Sequence, residues 1–254
     1  MRVTKKSVEE YAKTLSIDDA IEYIKKSGLN NDALINKYLR KKAAYEKEVL
    51  RYNTMCQFEN KLFDEEKILM IAGVDEAGRG PLAGPVVAGA VILNRGEFIE
   101  GINDSKKLSE KKREELFDKI MSRAVAVGVG IVDHKCIDDI NILMATKLAM
   151  KKALDNLKVK PQYALIDAVT LDNISLRHAA IVKGDEKSVS IAAASIIAKV
   201  TRDRLMIEMD GKYPQYGFAK HKGYGTKEHI DAIKKFGASP IHRMTFIQKF
   251  LSNI

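Results

Sequence analysis

The feature that most constrains this chain is a pair of adjacent acids placed between an apolar run and a glycine-rich loop. The apolar residues 68–72 predict a buried strand, which leads directly into Asp75 and Glu76. Adjacent carboxylates repel each other, so a fold gains little stability from this arrangement, whereas a divalent cation would use both as oxygen ligands. The glycines and the arginine of residues 78–85 allow main chain to come close to an anionic group. The pattern favours metal-assisted phosphodiester chemistry.

The distribution of charge supports a polyanionic partner. The chain has 254 residues, a net charge of +9 and an ordinary hydrophobic fraction of 46%. Residues 1–66 hold 13 Lys and Arg against 12 Asp and Glu, whereas residues 67–254 hold 30 against 22, a net +8. The excess positive charge therefore lies on the part that carries the acid–glycine motif, as a metal-dependent nuclease requires.

Other function classes are disfavoured. The apolar run 86–93 is far too short to span a bilayer, and the N-terminal residues lack an apolar signal core. Cys56 and Cys136 are distant in sequence and form no metal-binding pair, so we expect two reduced thiols in a cytoplasmic protein without a membrane partner. A P-loop phosphotransferase is excluded because no Gly-x-x-x-x-Gly-Lys-Ser/Thr segment follows a strand.

The pattern along the chain predicts two regions. Residues 1–66 form an N-terminal helical extension, and residues 67–254 form a catalytic domain with C-terminal helices. In the second region, predicted strands alternate with predicted helices: strands at 68–74, 86–93, 125–132, 163–167 and 179–182, and helices at 109–123, 138–157 and 188–209. This alternation predicts an α/β sheet covered by helices. The extension would add affinity for duplex, contact another protein or stabilise the body, and the sequence does not choose among these roles.

Two further carboxylates follow predicted strands. Asp167 ends the run 163–166, and Asp185 follows the run 181–184. If these strands neighbour residues 68–74, all four acids meet at one edge of the sheet, where ligands bind in α/β folds. Such a cluster suits two Mg²⁺ or Mn²⁺ ions about 4 Å apart. The alternative for Asp167 and Asp185 is a turn or helix-capping role.

Seven motifs in order carry a family resemblance. They lie at residues 75–80, 103–108, 166–168, 182–185, 193–203, 221–226 and 240–243. Through them the chain resembles ribonuclease HII, the type 2 ribonuclease H family, over residues 68–246. The resemblance implies a ribonuclease H-like mixed sheet flanked by helices, with two Mg²⁺ or Mn²⁺ ions as cofactors. It also implies cleavage of the RNA strand in RNA–DNA hybrids and 5′ of single ribonucleotides in duplex DNA, as in ribonucleotide excision repair, leaving 3′-hydroxyl and 5′-phosphate ends.

The resemblance also assigns the site. The catalytic and metal-binding acids fall on Asp75, Glu76, Asp167 and Asp185. Substrate contacts fall on Gly78, Arg79, Gly80, Asn103, Ser105, Lys106 and Tyr224. The loop at 78–80 would offer backbone groups to the 2′-hydroxyl, which distinguishes RNA from DNA, and a side chain at either glycine would block that approach. Tyr224 would stack on the neighbouring sugar, or else is an ordinary half-buried tyrosine. The polar loop 103–107 would position a phosphate backbone.

Several alternatives remain at this stage. Asp203 matches a family aspartate, but its position between Arg202 and Arg204 favours a structural ion pair over metal binding. The spacing of His221 and His229 gives no zinc pattern, and neither does that of His242. The rival functions are another metal nuclease of the same fold class, such as a junction resolvase or exonuclease, and a catalytically silent nucleic-acid-binding protein. We expect a monomer that binds RNA–DNA hybrids and ribonucleotide-containing duplex DNA.

Overall fold

A computed structural model describes residues 4–28, 32–172 and 174–251 of the chain. The chain divides into two compact units, Met1–Thr54 and Met55–Ile254. The helix Gln57–Glu66, which the sequence pattern assigned to the N-terminal extension, belongs to the second unit. Among the helices that the structure describes, none combines the length and the apolar character that a membrane span needs.

The first unit is helical, as predicted. Its helices are α1 (Lys5–Ala12), α2 (Ile17–Lys26) and α3 (Asp32–Met55), the last of which ends one residue beyond the unit. The helix α1 has no counterpart among the helices predicted from the sequence. Thr4 and Ser7 form its capping box, in which each side chain accepts a hydrogen bond from the backbone N–H of the other residue. Val8, Ile24 and Tyr38, one from each helix, contribute to a small buried core.

The second unit is built on a mixed five-stranded sheet. The strands are β1 (Ile71–Ala77), β2 (Val86–Ile92), β3 (Ala126–Val132), β4 (Tyr163–Asp167) and β5 (His178–Ile181). Their order is β3-β2-β1-β4-β5. The pairs β1–β2 and β2–β3 are antiparallel, whereas β1–β4 and β4–β5 are parallel. The predicted mixed sheet flanked by helices is confirmed.

The first strand differs from its prediction at both ends. It begins at Ile71 rather than at residue 68, and it continues through the two acids to Ala77. The reason is the ladder with β2, in which Asp75 lies opposite Gly89 and Glu76 opposite Ala88. The acids therefore belong to the strand, where backbone hydrogen bonds hold them, and the glycine-rich loop begins only after them.

Helices cover both faces of the sheet. The helices of this unit are α4 (Gln57–Glu66), α5 (Glu110–Arg123), α6 (His134–Asp155), α7 (Gly184–Lys187), α8 (Val189–Lys212), α9 (Phe218–His221), α10 (Lys227–Phe236) and α11 (Met244–Leu251). The helix α6 begins earlier than predicted because Asp133 caps it, and it is interrupted at Asn141, whose φ is 68°. Single-turn 3₁₀ helices lie at Ser105–Lys107 and Pro214–Tyr216.

Glycines in the strands bring the two long helices close to the sheet. A Cβ at Gly130 of β3 would lie 1.9 Å from the carbonyl oxygen of Ala149 in α6. A Cβ at Gly73 of β1 would lie 2.0 Å from the carbonyl carbon of Ser190 in α8. Only glycine fits at these positions. The small residues that fill the first half of α8 serve the same close approach, as their presence in the sequence predicted.

Candidate active site

Three of the four predicted acids meet at one edge of the sheet. Asp75 in β1, Asp167 at the end of β4 and Asp185 in α7 each present a carboxylate oxygen, and these oxygens lie within 4.8 Å of one another. Asp75 and Asp167 are neighbours because β1 and β4 are parallel, with Val74 opposite Ile166. The strand-end argument from the sequence therefore holds for this pair.

Asp185 reaches the cluster through a tight turn. After β5, Lys183 adopts a left-handed conformation with φ of 56°, which directs the chain into α7. The N–H of Gly184 donates a hydrogen bond of 2.7 Å to Oδ1 of Asp167, which ties the turn to the end of β4. A Cβ at Gly184 would lie 2.6 Å from Cδ1 of Ile191, so the turn packs tightly against α8.

Glu76 lies beside the three-acid cluster but is not a member of it. Its Oε1 is 3.5 Å from Nη1 of Arg79. Its Oε2 is buried and finds no hydrogen-bond partner in the part of the chain that the structure describes. Burial raises the pKa of Glu76, Arg79 opposes that shift, and the charge of Asp167 adds to it, so the Glu76 carboxylate responds to the cluster.

Burial and mutual repulsion make the acids costly as anions. Burial raises the pKa of Asp75 well above its ordinary value, and the charges of Glu76 and Asp167 raise it further. Burial is the main cause that raises the pKa of Asp185, and the charge of Asp104 raises it further. Hard carboxylate oxygens, together with the unpartnered Oε2 of Glu76, fit a divalent cation of the Mg²⁺ or Mn²⁺ kind, which would offset this repulsion.

The polar loop 103–107 adjoins the acids, and it contains one residue that the sequence analysis passed over. Asp104 is buried and near enough to Asp185 to raise its pKa. It also accepts a hydrogen bond from the N–H of Lys106 at 2.9 Å. The short polar side chains and lysines of this segment indicated a phosphate-contact loop, and that interpretation left Asp104 without a role. An acid within a predicted phosphate loop was the available signal.

Among Asn103, Ser105 and Lys106, it is Lys106 whose side chain reaches the acids. Its Nζ lies 3.3 Å from Oδ2 of Asp185, and most of its side chain is exposed. Ser105 is buried instead, and its N–H donates to Oγ of Ser195 in α8. The Oδ1 of Asn103 accepts a hydrogen bond from the N–H of Asp104. Ser105 and Asn103 therefore shape the loop that presents Lys106.

The glycine-rich loop and Tyr224 adjoin each other. Gly78 has φ of +96°, and a Cβ there would lie 2.1 Å from Nε of Arg202, so glycine is required. A Cβ at Gly80 would lie 3.8 Å from Cε1 of Tyr224, in ordinary contact distance. Tyr224 as a whole residue is 42% exposed and is therefore accessible beside the loop. The protein has room for a Cβ at position 80, so a requirement for glycine there would come from a bound ligand.

The remaining motif residues have structural partners. Asp203 accepts a hydrogen bond of 2.8 Å from Lys199 and lies 3.9 Å from Nη2 of Arg113, which agrees with the interpretation as an ion pair. Arg202 and Arg243 are fully buried beneath the glycine-rich loop, and each donates to three backbone carbonyls. The sequence suggested Arg202 only as a charged neighbour of Asp203 and suggested no role for Arg243, although both arginines lie in the matched motifs.

The comparisons with known proteins agree with this geometry. The model of the family Ribonuclease HII matches residues 72–249. The Ribonuclease HII of Acetivibrio thermocellus is 57% identical over 253 residues and 98% of each chain is covered. The ribonuclease H2 of Pyrococcus horikoshii OT3 has a TM-score of 0.62 and 32% identity, over 73% of this chain and 98% of that one.

A third comparison concerns the fold alone. Bst-RNase HIII, solved in complex with Mn²⁺, has a TM-score of 0.57 and 21% identity, over 73% of this chain and 70% of that one. The ribonuclease H-like fold expected from the sequence is therefore confirmed. The near-complete coverage of curated relatives, together with the family match over the catalytic unit, shows that the chain is an endoribonuclease and belongs to the ribonuclease HII family.

Proposed function

We propose that this metal-dependent endonuclease of RNA–DNA hybrids also cleaves duplex DNA 5′ of a single embedded ribonucleotide, leaving 3′-hydroxyl and 5′-phosphate ends. The observation that carries the proposal is continuity along the backbone. The strand β1 contains Asp75 and Glu76 and ends at Ala77, and the loop with Gly78 follows at once. A scissile phosphate at the acids and a 2′-hydroxyl at the loop would therefore be read by neighbouring residues of one segment.

Different side chains would bind the metal, the phosphate and the sugar. Asp75, Glu76, Asp167 and Asp185 would hold Mg²⁺ or Mn²⁺, which supplies an activated water and neutralises the leaving 3′-oxygen when bound. Lys106, now 3.3 Å from Asp185, would turn its exposed ammonium group to a phosphate. Tyr224 is 42% exposed beside the glycine-rich loop, with Lys199 and Arg202 each 5.8 Å from its ring centroid, and its exposed part would stack on a sugar.

A panel of substrates tests the proposal. The full chain with Mg²⁺ or Mn²⁺ would be given four duplexes: all-DNA, DNA with one ribonucleotide, an RNA–DNA hybrid and a four-way DNA junction. We expect cleavage of the second and third, and the 3′ ends should support extension by a polymerase. Equal cleavage of the all-DNA duplex would rule out readout of the 2′-hydroxyl, and preference for the junction would favour a resolvase.

Substitution of the acids tests the assignment of the site. Asp75→Asn or Asp167→Asn should lower cleavage by at least about 100-fold, since each removes a charged ligand, while binding of the hybrid persists. Asp172→Asn is a matched control, because Asp172 pairs with Lys147 on the surface. Full turnover by either site variant would remove that acid from the proposed site. The predicted monomeric state is a separate matter, which light scattering would test.

A further inference from the structure

One short segment supports both sides of what we call the ribose-reading surface, which consists of the loop 78–80 on one side and Tyr224 on the other. Residues 239–243, which we call the buttress, pair with the glycine-rich loop through backbone hydrogen bonds. The N–H of Gly84 donates to the carbonyl of Ile241 at 2.9 Å, and the N–H of Arg243 donates to the carbonyl of Leu82 at 2.9 Å. Ala83 and His242 form an isolated antiparallel bridge between these two bonds. The loop is thus fastened to the buttress along its length.

Arg243 fixes the orientation of the loop's peptide groups. Its guanidinium is fully buried and donates to the carbonyls of Gly78 at 2.6 Å, Arg79 at 2.9 Å and Gly84 at 3.0 Å. Burial, together with the nearby charge of Arg202, lowers the pKa of Arg243 to about 9. Burial of a charged guanidinium costs free energy even when its N–H groups donate to backbone carbonyls. The arrangement therefore indicates that the backbone of the glycine-rich loop must keep this conformation.

The carbonyls held by Arg243 determine where two amides point. In a trans peptide the C=O and the following N–H lie on opposite sides of the bond. With the carbonyls of Gly78 and Arg79 directed at Arg243, the N–H groups of Arg79 and Gly80 point away from it. Neither N–H donates to an acceptor within the described ranges of the chain. These two donors are therefore available to a ligand beside Tyr224.

His242 reaches the other side of the surface through a directed chain of hydrogen bonds. The N–H of Ser239 donates to Nδ1 of His242 at 2.7 Å, so that ring carries its proton on Nε2. That Nε2 donates to Nε2 of His229 at 2.9 Å, and Nδ1 of His229 then donates to the carbonyl of Tyr224 at 2.9 Å. One backbone N–H thus sets the tautomer of both neutral rings and the position of Tyr224.

We propose that Arg243 and His242 are positioning residues that hold the two sides of the ribose-reading surface in register. Arg243 acts on the amides of Arg79 and Gly80, and His242 acts through His229 on Tyr224. The inference rests on the proposed function, since it assumes that this surface reads a 2′-hydroxyl. Because the two residues are adjacent in sequence, both sides of the surface are supported from one short segment.

The test measures discrimination separately from metal binding. The full chain in Ca²⁺ would be titrated with two duplexes that differ by one ribonucleotide, and the ratio of the two dissociation constants would be recorded. Lysine keeps the charge of Arg243 but cannot reach three carbonyls, so Arg243→Lys should lower the ratio about ten-fold. Affinity for Mn²⁺, measured by calorimetry, should change less than about two-fold. Arg204→Lys is a matched control, because Arg204 is an exposed partner of Glu114.

A pair of histidine variants keeps the inference testable if Arg243→Lys does not fold. Glutamine at position 242 retains a donor near Nε2 for Nε2 of His229, whereas leucine does not. His242→Leu should therefore lower the discrimination ratio and His242→Gln should preserve most of it. Wild-type ratios in both Arg243→Lys and His242→Leu would overturn the inference. A wild-type chain that binds both duplexes equally would instead refute the proposed function.

Discussion

Acidification should destabilise this chain through its two buried, hydrogen-bonded histidines. Burial lowers the pKa of His229 to about 4, with the charge of His221 adding to the shift. Burial lowers the pKa of His242 to about 4 as well, and His229 adds to that shift. The unfolded chain should titrate each ring near its ordinary value of about 6.5. Between these values the unfolded state binds more protons than the folded state, so stability falls as the pH falls.

The size of this loss of stability follows from the difference between the pKa values of each histidine in the unfolded and folded states. Each unit of pKa difference corresponds to about 1.4 kcal/mol, so a shift from about 6.5 to about 4 amounts to about 3 kcal/mol for one ring. Above pH 7 both states are neutral at these rings and the effect vanishes. Below pH 4 both states are protonated and the loss is complete. The raised pKa values of Asp75 and Asp185 act in the opposite direction, because the folded state then binds the extra proton.

A comparison of wild type with His242→Asn isolates the histidine contribution from the carboxylates. Asparagine can still accept the N–H of Ser239 but cannot be protonated. Free energies of unfolding would be measured by urea denaturation without metal at pH 7.5, 6.5, 5.5 and 4.5. The wild type should lose about 2 kcal/mol more than the variant between pH 6.5 and 4.5, with a constant difference above pH 7. Parallel curves across the whole range would refute a buried neutral His242.

Three other substitutions have expected outcomes. Gly78→Ala should lower the melting temperature and reduce cleavage at least about ten-fold, because its Cβ would meet Nε of Arg202 at 2.1 Å, whereas Gly211→Ala, with open space, should do neither. Gly73→Ala should cost about 3 kcal/mol in urea unfolding, since its Cβ would lie 2.0 Å from backbone of α8, and a cost below about 1 kcal/mol would contradict that packing. Asp75→Asn should raise the metal-free melting temperature, because burial and repulsion disfavour the Asp75 anion. It should also abolish the rise in melting temperature on addition of Mn²⁺, because a metal ligand is lost, and scanning fluorimetry measures both effects.

Local pattern was enough to predict the sheet and two of its acids. Apolar runs of strand length are buried wherever they occur, and the carboxyl ends of adjacent parallel strands share one edge. These two facts place Asp75 beside Asp167 once β1 pairs with β4. The same reasoning could not show that the acids lie inside β1, because the end of that strand is set by its ladder with β2.

What the sequence determined by itself was the family and the set of candidate site residues, since residue type and order are enough for a carboxylate pair, a glycine-rich loop and the family motifs. Tertiary structure alone decided how they are held: the turn that delivers Asp185, the nearness of Asp104, and the hydrogen bonds from Arg243 to Gly78, 165 positions away. The physical reason is that such contacts join chain segments without any shared periodicity. Their donors and acceptors are ordinary backbone and side-chain groups, whose partners only the folded chain selects.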